Sequence, residues 1–150
     1  MSGNIVVVPT DGSKYAESAA ETGFDIAEKT GATVHALSVG DESLTHISSV
    51  GGPPPKTTED VAEIAAEWAD ELADDAKAYG LEAEAVVRTG SPAREIADYA
   101  DEVDAEMIVM GTAGRGGFER MVVGSVTDKV VRTAPVPVVT VRPDGTVDAA

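Results

Sequence analysis

The chain contains no cysteine, which rules out disulfides, thiolate metal sites and cysteine nucleophiles and leaves the redox state of its compartment open. Aromatic residues are scarce, 4% of 150 residues with a single tryptophan. No apolar run approaches the roughly 20 residues of a membrane-spanning helix. The longest, Ile5 to Val8 and Met107 to Met110, are strand length. The opening "MSGNIVVV" lacks the basic region, apolar stretch and small-residue cleavage site of a secretory signal, so a cytoplasmic location is expected. Positive charge is also in short supply: 11 basic residues stand against 27 acidic ones, a formal charge of −16. Such a surface repels nucleic acid and anionic lipid, so neither is an expected partner.

What is present suits one globular domain, residues 1–150, with 43% apolar residues, no internal repeat and many alanines and valines. The acid surplus and the few aromatics fit a halophilic protein in a high-salt cytoplasm, where screening shortens self-repulsion to a few ångströms. An acidic protein from an ordinary cytoplasm is the plainer alternative.

Along the chain, strand and helix signals alternate. "IVVV", closed by Pro9 and Gly12, reads as a buried parallel strand, since it does not alternate in polarity. Ser13 can cap the helix that follows, Ala16, Ala20, Gly23 and Ala27 form its small-residue face, and Gly31 ends it. "ATVHALSVG" is a second strand, and residues 40–57, with three consecutive prolines, form a long variable loop. Val61, Ile64, Ala65, Trp68, Leu72, Ala76 and Tyr79 repeat at helical spacing, with Glu63, Glu67, Asp70, Glu71, Asp74 and Asp75 on the solvated side. Trp68 is then expected as a core anchor. "EAEAVVR" is a third strand, Ser91 and Pro92 open a helix, "EMIVM" is a fourth strand, "SVTDKVVRTA" a helix and "VPVVTV" a fifth strand. Residues 143–150 read as a loose tail. The order predicts an α/β fold: a single-domain open parallel sheet of five strands with right-handed crossovers and helices on both faces, Rossmann-like.

In such sheets ligands bind at the carboxyl ends of strands, where the strand order reverses. The first and fourth strands end in "PTDGS" and "MGTAG". Between the fourth strand and the last helix lies "GTAGRGGFERMVVGS", a glycine-dense segment. Gly124 and Ser125 stand where the helix begins, and the first amides of a helix, unpaired and at its positive end, bind anions. Tight turns and a Ser125 cap explain the same residues without a ligand. No Gly-Lys-Ser/Thr occurs, so this is no Walker A loop, and the dinucleotide fingerprint belongs after the first strand.

The spacing Gly111, Gly114, Gly124, Ser125 resembles the ATP-binding motif of the universal stress protein family. "VTDKVVRTAPVPVVTVR" looks like that family's final helix and strand, and "IVVVPTDGS" like its opening strand. The resemblance runs from about Asn4 to Arg142. It implies the strand order 3-2-1-4-5 of that family, related to the adenine nucleotide alpha hydrolases, and ATP as ligand, alone or with Mg2+. It places the phosphates on Gly114, Gly124 and Ser125 with Thr127 nearby, and the ribose by Gly111 and Pro9. The adenine would face Asp11 and the main chain of Val39, with Met110 packed close. Thr10 and Val126 complete the implied set, and Arg115, at a position where no fixed residue type is expected, can add positive charge at a phosphate.

On this reading the protein is a nucleotide-binding sensor or regulator in a stress response. No catalytic residue is expected, and neither His35 nor His46 carries a metal motif. A slow ATP hydrolase or phosphotransferase is the alternative. A nucleotide-free structural protein is a third reading, against which the intact glycine motif stands. A homodimer through residues 136–141 is also expected, because Pro137 marks an edge strand, strand start or bulge, the segment is apolar on both faces, and a loose tail leaves that edge bare.

Overall fold

The computed structural model describes residues 4–41, 57–112 and 124–149. The sheet is built from β1 (Ile5–Pro9), β2 (Thr33–Asp41), β3 (Ala83–Gly90), β4 (Met107–Gly111), β5 (Val138–Val141) and β6 (Val147–Ala149). Between them run α1 (Lys14–Thr30), α2 (Thr58–Ala78), α3 (Pro92–Glu102) and α4 (Ser125–Thr133). The strand order is β3-β2-β1-β4-β5-β6. The first five are parallel, and β6 lies antiparallel to β5.

The sixth strand corrects two expectations. The sheet has six strands, not five, and the segment after Arg142 folds back instead of trailing. Its turn is local chemistry: Asp144 accepts the Thr146 amide, Gly145 takes φ +90°, and the Gly145 amide reaches the Arg142 carbonyl. Arg142 Nε then pairs with the Asp148 carboxylate at 2.8 Å. β5 is thus hydrogen-bonded on both sides, by β4 and β6, and the bare edge that motivated a homodimer through residues 136–141 does not exist. Val139 and Val141 are buried against the α1 face. The proline signal itself is met: Pro137 stands just before β5 and offers its carbonyl to the Ile108 amide.

Side chains of alternate strand positions feed two cores. Val6, Val8, Val34, Ala36 and Val109 pack under α1 and α2. Val7, Leu37, Ile108, Met110 and Val138 pack under α3 and α4. The helices on the first face come close because their inner sides are small: Ala19, Ala20, Gly23 and Ala27 on α1, Ala65, Ala69, Ala73 and Ala76 on α2. A Cβ on Gly23 would lie 2.9 Å from a Val8 methyl.

The helix ends follow the sequence signals. The Ser13 hydroxyl accepts the Ala16 amide, and Gly31 closes α1 in the left-handed region. Thr57 and Asp60 form a reciprocal capping box before α2. Pro92 opens α3, but Ser91, read as its cap, makes no side-chain cap bond. All six acids of the α2 outer face are exposed. Tyr79, placed at the end of the apolar stripe, is exposed too; its hydroxyl donates to the Asp25 carboxylate of α1.

Candidate functional site

The strand order reverses between β1 and β4, so the connections leaving these two strands pass to opposite faces and open a crevice at their carboxyl ends. On the β1 side, Pro9 is buried and Thr10, Asp11, Gly12 and Ser13 turn sharply into α1. The turn is held by its own side chains: Thr10 Oγ1 accepts the Gly12 amide at 3.1 Å and Asp11 Oδ1 accepts the Ser13 amide at 3.0 Å. Gly12 has φ +78°, which side-chain-bearing residues resist. Two bonds fasten this turn to β2. The Thr10 amide donates to the Leu37 carbonyl, and the Ser38 hydroxyl donates to the Thr10 carbonyl at 2.9 Å.

On the β4 side, Met110 is buried in the α3/α4 core and Gly111 ends the strand. α4 begins beside it. The Gly124 amide donates to the Thr112 carbonyl at 2.6 Å, and the buried Thr127 hydroxyl donates to the Gly111 carbonyl at 2.7 Å. These two bonds dock the first turn of α4 on the tip of β4. Gly124 is the N-cap, and among the described residues no side chain caps this helix. Ser125 is exposed in the first helical position, not at the cap where the sequence could place it, and Val126 is half-buried. Val39, near the end of β2, packs partly into the same core as Met110.

The structure thus gathers Pro9, Thr10, Asp11, Val39, Met110, Gly111, Gly124, Ser125, Val126 and Thr127 at one end of the sheet, on β1, β2, β4 and the start of α4. Gly114 and Arg115 lie outside the described residues, as does His46. Ser38, Thr112 and Trp68 also shape this end, and sequence reasoning did not assign them to it. Ser38, like His35, is a polar residue flanked by apolar ones in β2, a signal that could have found it. Trp68 corrects an expectation. It is half-buried and belongs to neither core; its indole lies against the backbone of Gly12.

A second polar cluster sits away from this site, on the α3 side of β2 and β3. His35 is buried, with Nδ1 2.6 Å from the Tyr99 hydroxyl and Nε2 3.3 Å from the Glu84 carboxylate. An ionised carboxylate only accepts, so in the neutral ring Nε2 carries the proton and Nδ1 accepts from Tyr99. Burial holds the His35 pKa below its ordinary value, against the upward pull of Glu84. Arg88 lies over the Tyr99 ring and makes two bonds to the Glu102 carboxylate, at 2.9 and 3.1 Å. Among the described residues no group of three or more histidines or carboxylates could hold a metal ion, and no helix is long and apolar enough to cross a membrane.

Residues 4–142 match the model of the universal stress protein family. Universal stress protein MJ0531 of Methanocaldococcus jannaschii is 35% identical over 141 residues, covering 91% of this chain and 81% of the relative. Among solved structures, the universal stress protein UspA from Lactobacillus plantarum superposes with a TM-score of 0.77 at 27% identity, covering 95% of this chain and 99% of that one. A universal stress protein from Archaeoglobus fulgidus in complex with dAMP gives a TM-score of 0.63, and a universal stress protein in complex with cAMP gives 0.67. Each is 25% identical; they cover 93% and 95% of this chain and 97% and 98% of their own. On sequence and on architecture alike, the chain belongs to the universal stress protein family.

Proposed function

We propose that this protein binds an adenine nucleotide, ATP foremost, in the crevice between β1 and β4, and acts as a nucleotide-dependent regulator in a stress response. One observation carries the reading. The α4 N-terminus is docked on the tip of β4 by Gly124 and Thr127, and its N-cap, Gly124, has no side chain of its own to take up the first amides. Such an end presents free donors and a positive dipole to a phosphate. On this reading the base lies by Asp11 and the main chain of Val39. The dAMP and cAMP complexes of related proteins support the same ligand class. A surface of −16 opposes a polyanion, which makes the backbone donors of α4 the main attraction.

Binding is favoured over catalysis. Phosphoryl transfer needs a carboxylate at the phosphates to hold magnesium. Asp128, in the first turn of α4, instead faces Arg132 at 3.2 Å on the half-exposed side of the helix. ATP would therefore be held, alone or as its Mg2+ complex, and read by partners. The acid-rich surface further suits a cytoplasm of high salt.

The test is direct. Protein purified in molar salt is denatured, and the supernatant is separated by chromatography to detect released adenine nucleotide. Calorimetric titration of the emptied protein with ATP, dAMP and GTP then ranks the ligands. Absence of both co-purified nucleotide and measurable ATP binding overturns the proposal.

A further inference from the structure

We propose that Trp68 is a positioning residue of the candidate site: its indole, laid against Gly12, holds the Thr10–Ser13 turn in the shape that presents Asp11 to the ligand. This rests on the reading of the crevice as an adenine nucleotide site. A Cβ built on Gly12 would lie 2.3 Å from Trp68 Nε1, 2.5 Å from Cε2 and 2.6 Å from Cδ1. The ring therefore occupies the space any side chain at position 12 would need. The glycine serves two demands at once, a left-handed φ of +78° and room for an aromatic ring on its backbone.

The reach is set by helix geometry. α2 starts at the end of β2, where a Cβ on Gly40 would meet the Val61 carbonyl at 3.1 Å. Trp68 lies seven residues further along, about 10 Å down the helix axis. Helical side chains lean toward the N-terminus, which carries the ring back toward the carboxyl ends of the strands. Its approach is also one-sided. α2 covers the sheet face of Val8, Val34 and Ala36, whereas Val39 and Met110 pack on the opposite face with α4. Trp68 thus backs the turn from behind and acts on the ligand through Asp11, not by contact.

The turn needs such a backing. Within it, the Gly12 amide reaches Thr10 Oγ1 and the Ser13 amide reaches Asp11 Oδ1. Thr10 bonds to β2 through both its amide and its carbonyl. Beyond Thr10, the Trp68 ring limits how far Gly12 can move.

The experiment compares Trp68→Leu, which keeps an apolar side chain but loses the flat ring, with Trp68→Phe, which restores a ring. Leu72→Val, a truncation one turn further along α2, serves as the stability control. Amide exchange by NMR needs no ligand. Protection of the Gly12 and Ser13 amides should fall tenfold or more in Trp68→Leu, recover in Trp68→Phe and stay unchanged in Leu72→Val. Calorimetry with ATP should follow the same order, with a loss of about tenfold in affinity for Trp68→Leu only. Unchanged exchange at Gly12 and Ser13 in Trp68→Leu overturns the proposal, as does a Leu72→Val control with the same loss. If the parent itself binds no ATP, the nucleotide reading fails and the exchange data alone decide what Trp68 does to the turn.

Discussion

The Thr127 hydroxyl donates to the Gly111 carbonyl across 2.7 Å, joining the first turn of the last α-helix to the strand tip beside it. Thr127 is buried and Gly111 half-buried, so the bond is partly shielded from water. Thr127→Val keeps the shape but leaves the Gly111 carbonyl without this donor. Urea denaturation should register a loss of about 1–2 kcal/mol, and ATP affinity should fall as the helix end shifts off the strand. A variant as stable as the parent would mean that water replaces the hydroxyl without cost.

Gly124→Asp separates stability from binding. Aspartate is a favourable N-cap and suits the helix dipole, although its Cβ would sit 3.2 Å from the Thr112 carbonyl and must be accommodated. Thermal stability should change by less than about 1 kcal/mol. ATP affinity should fall tenfold or more, because the new carboxylate takes the amides meant for phosphate and repels it. Equal affinity in calorimetry would place the phosphates elsewhere.

His35 sets a pH dependence whose sign follows from burial. Its folded pKa lies below the ordinary 6.5, so the unfolded chain binds the proton more tightly. The contribution of the neutral ring to stability is complete above about pH 6.5 and is lost as pH falls from there through the folded pKa. Glu84 pulls the other way, so Glu84→Gln should lower the His35 midpoint further in an NMR titration of the ring protons. A midpoint that rises in Glu84→Gln would show that Glu84 does not face the ring in solution. The Glu102 carboxylate, lowered by its bonds to Arg88, acts in a separate and more acidic window, below about 4.5.

Salt should stabilise. With a charge of −16, raising the ionic strength shortens the range over which the acids repel one another. Melting temperatures should climb steadily from low to molar potassium chloride. A flat or falling curve would remove the case for salt adaptation.

Ending the chain at Gly145 should bare one side of β5. An unpaired strand edge recruits other chains, so the shortened protein should associate at lower concentration than the full chain in light scattering. Identical masses across the concentration series would mean that Arg142 and its neighbours protect the edge without β6.

Much of this architecture is written locally. Ser13, Gly31 and Pro92 act within one turn of themselves, and the helix boundaries they announce are the observed ones. The apolar runs of β1 and β4 announce buried parallel strands, and their neighbouring tips follow from the strand order that the family resemblance supplied. β6 escaped because three exposed residues carry little hydrophobic pattern, although Pro143-Asp144-Gly145 is a hairpin signal in plain view. Trp68 escaped for a different reason. Its helical spacing matches the apolar stripe, yet what it meets is a glycine 56 positions earlier in the chain, and periodicity says nothing about partners that distant. The candidate site could be read as a set of positions, whereas the docking bonds from Gly124 and Thr127 could not, because they depend on how α4 is set against β4.

The alanine-lined faces of α1 and α2 have a thermal consequence. A buried alanine has no side-chain rotamer freedom to surrender, so ordering this half of the interior costs less entropy than ordering leucines or methionines would. Each alanine also exposes little apolar area on unfolding, and that area is the main source of the heat-capacity increase. Ala19, Ala27, Ala65, Ala69 and Ala76, all shielded from water, therefore favour a broad, shallow curve of stability against temperature, with less softening in the cold than a core of larger side chains would show.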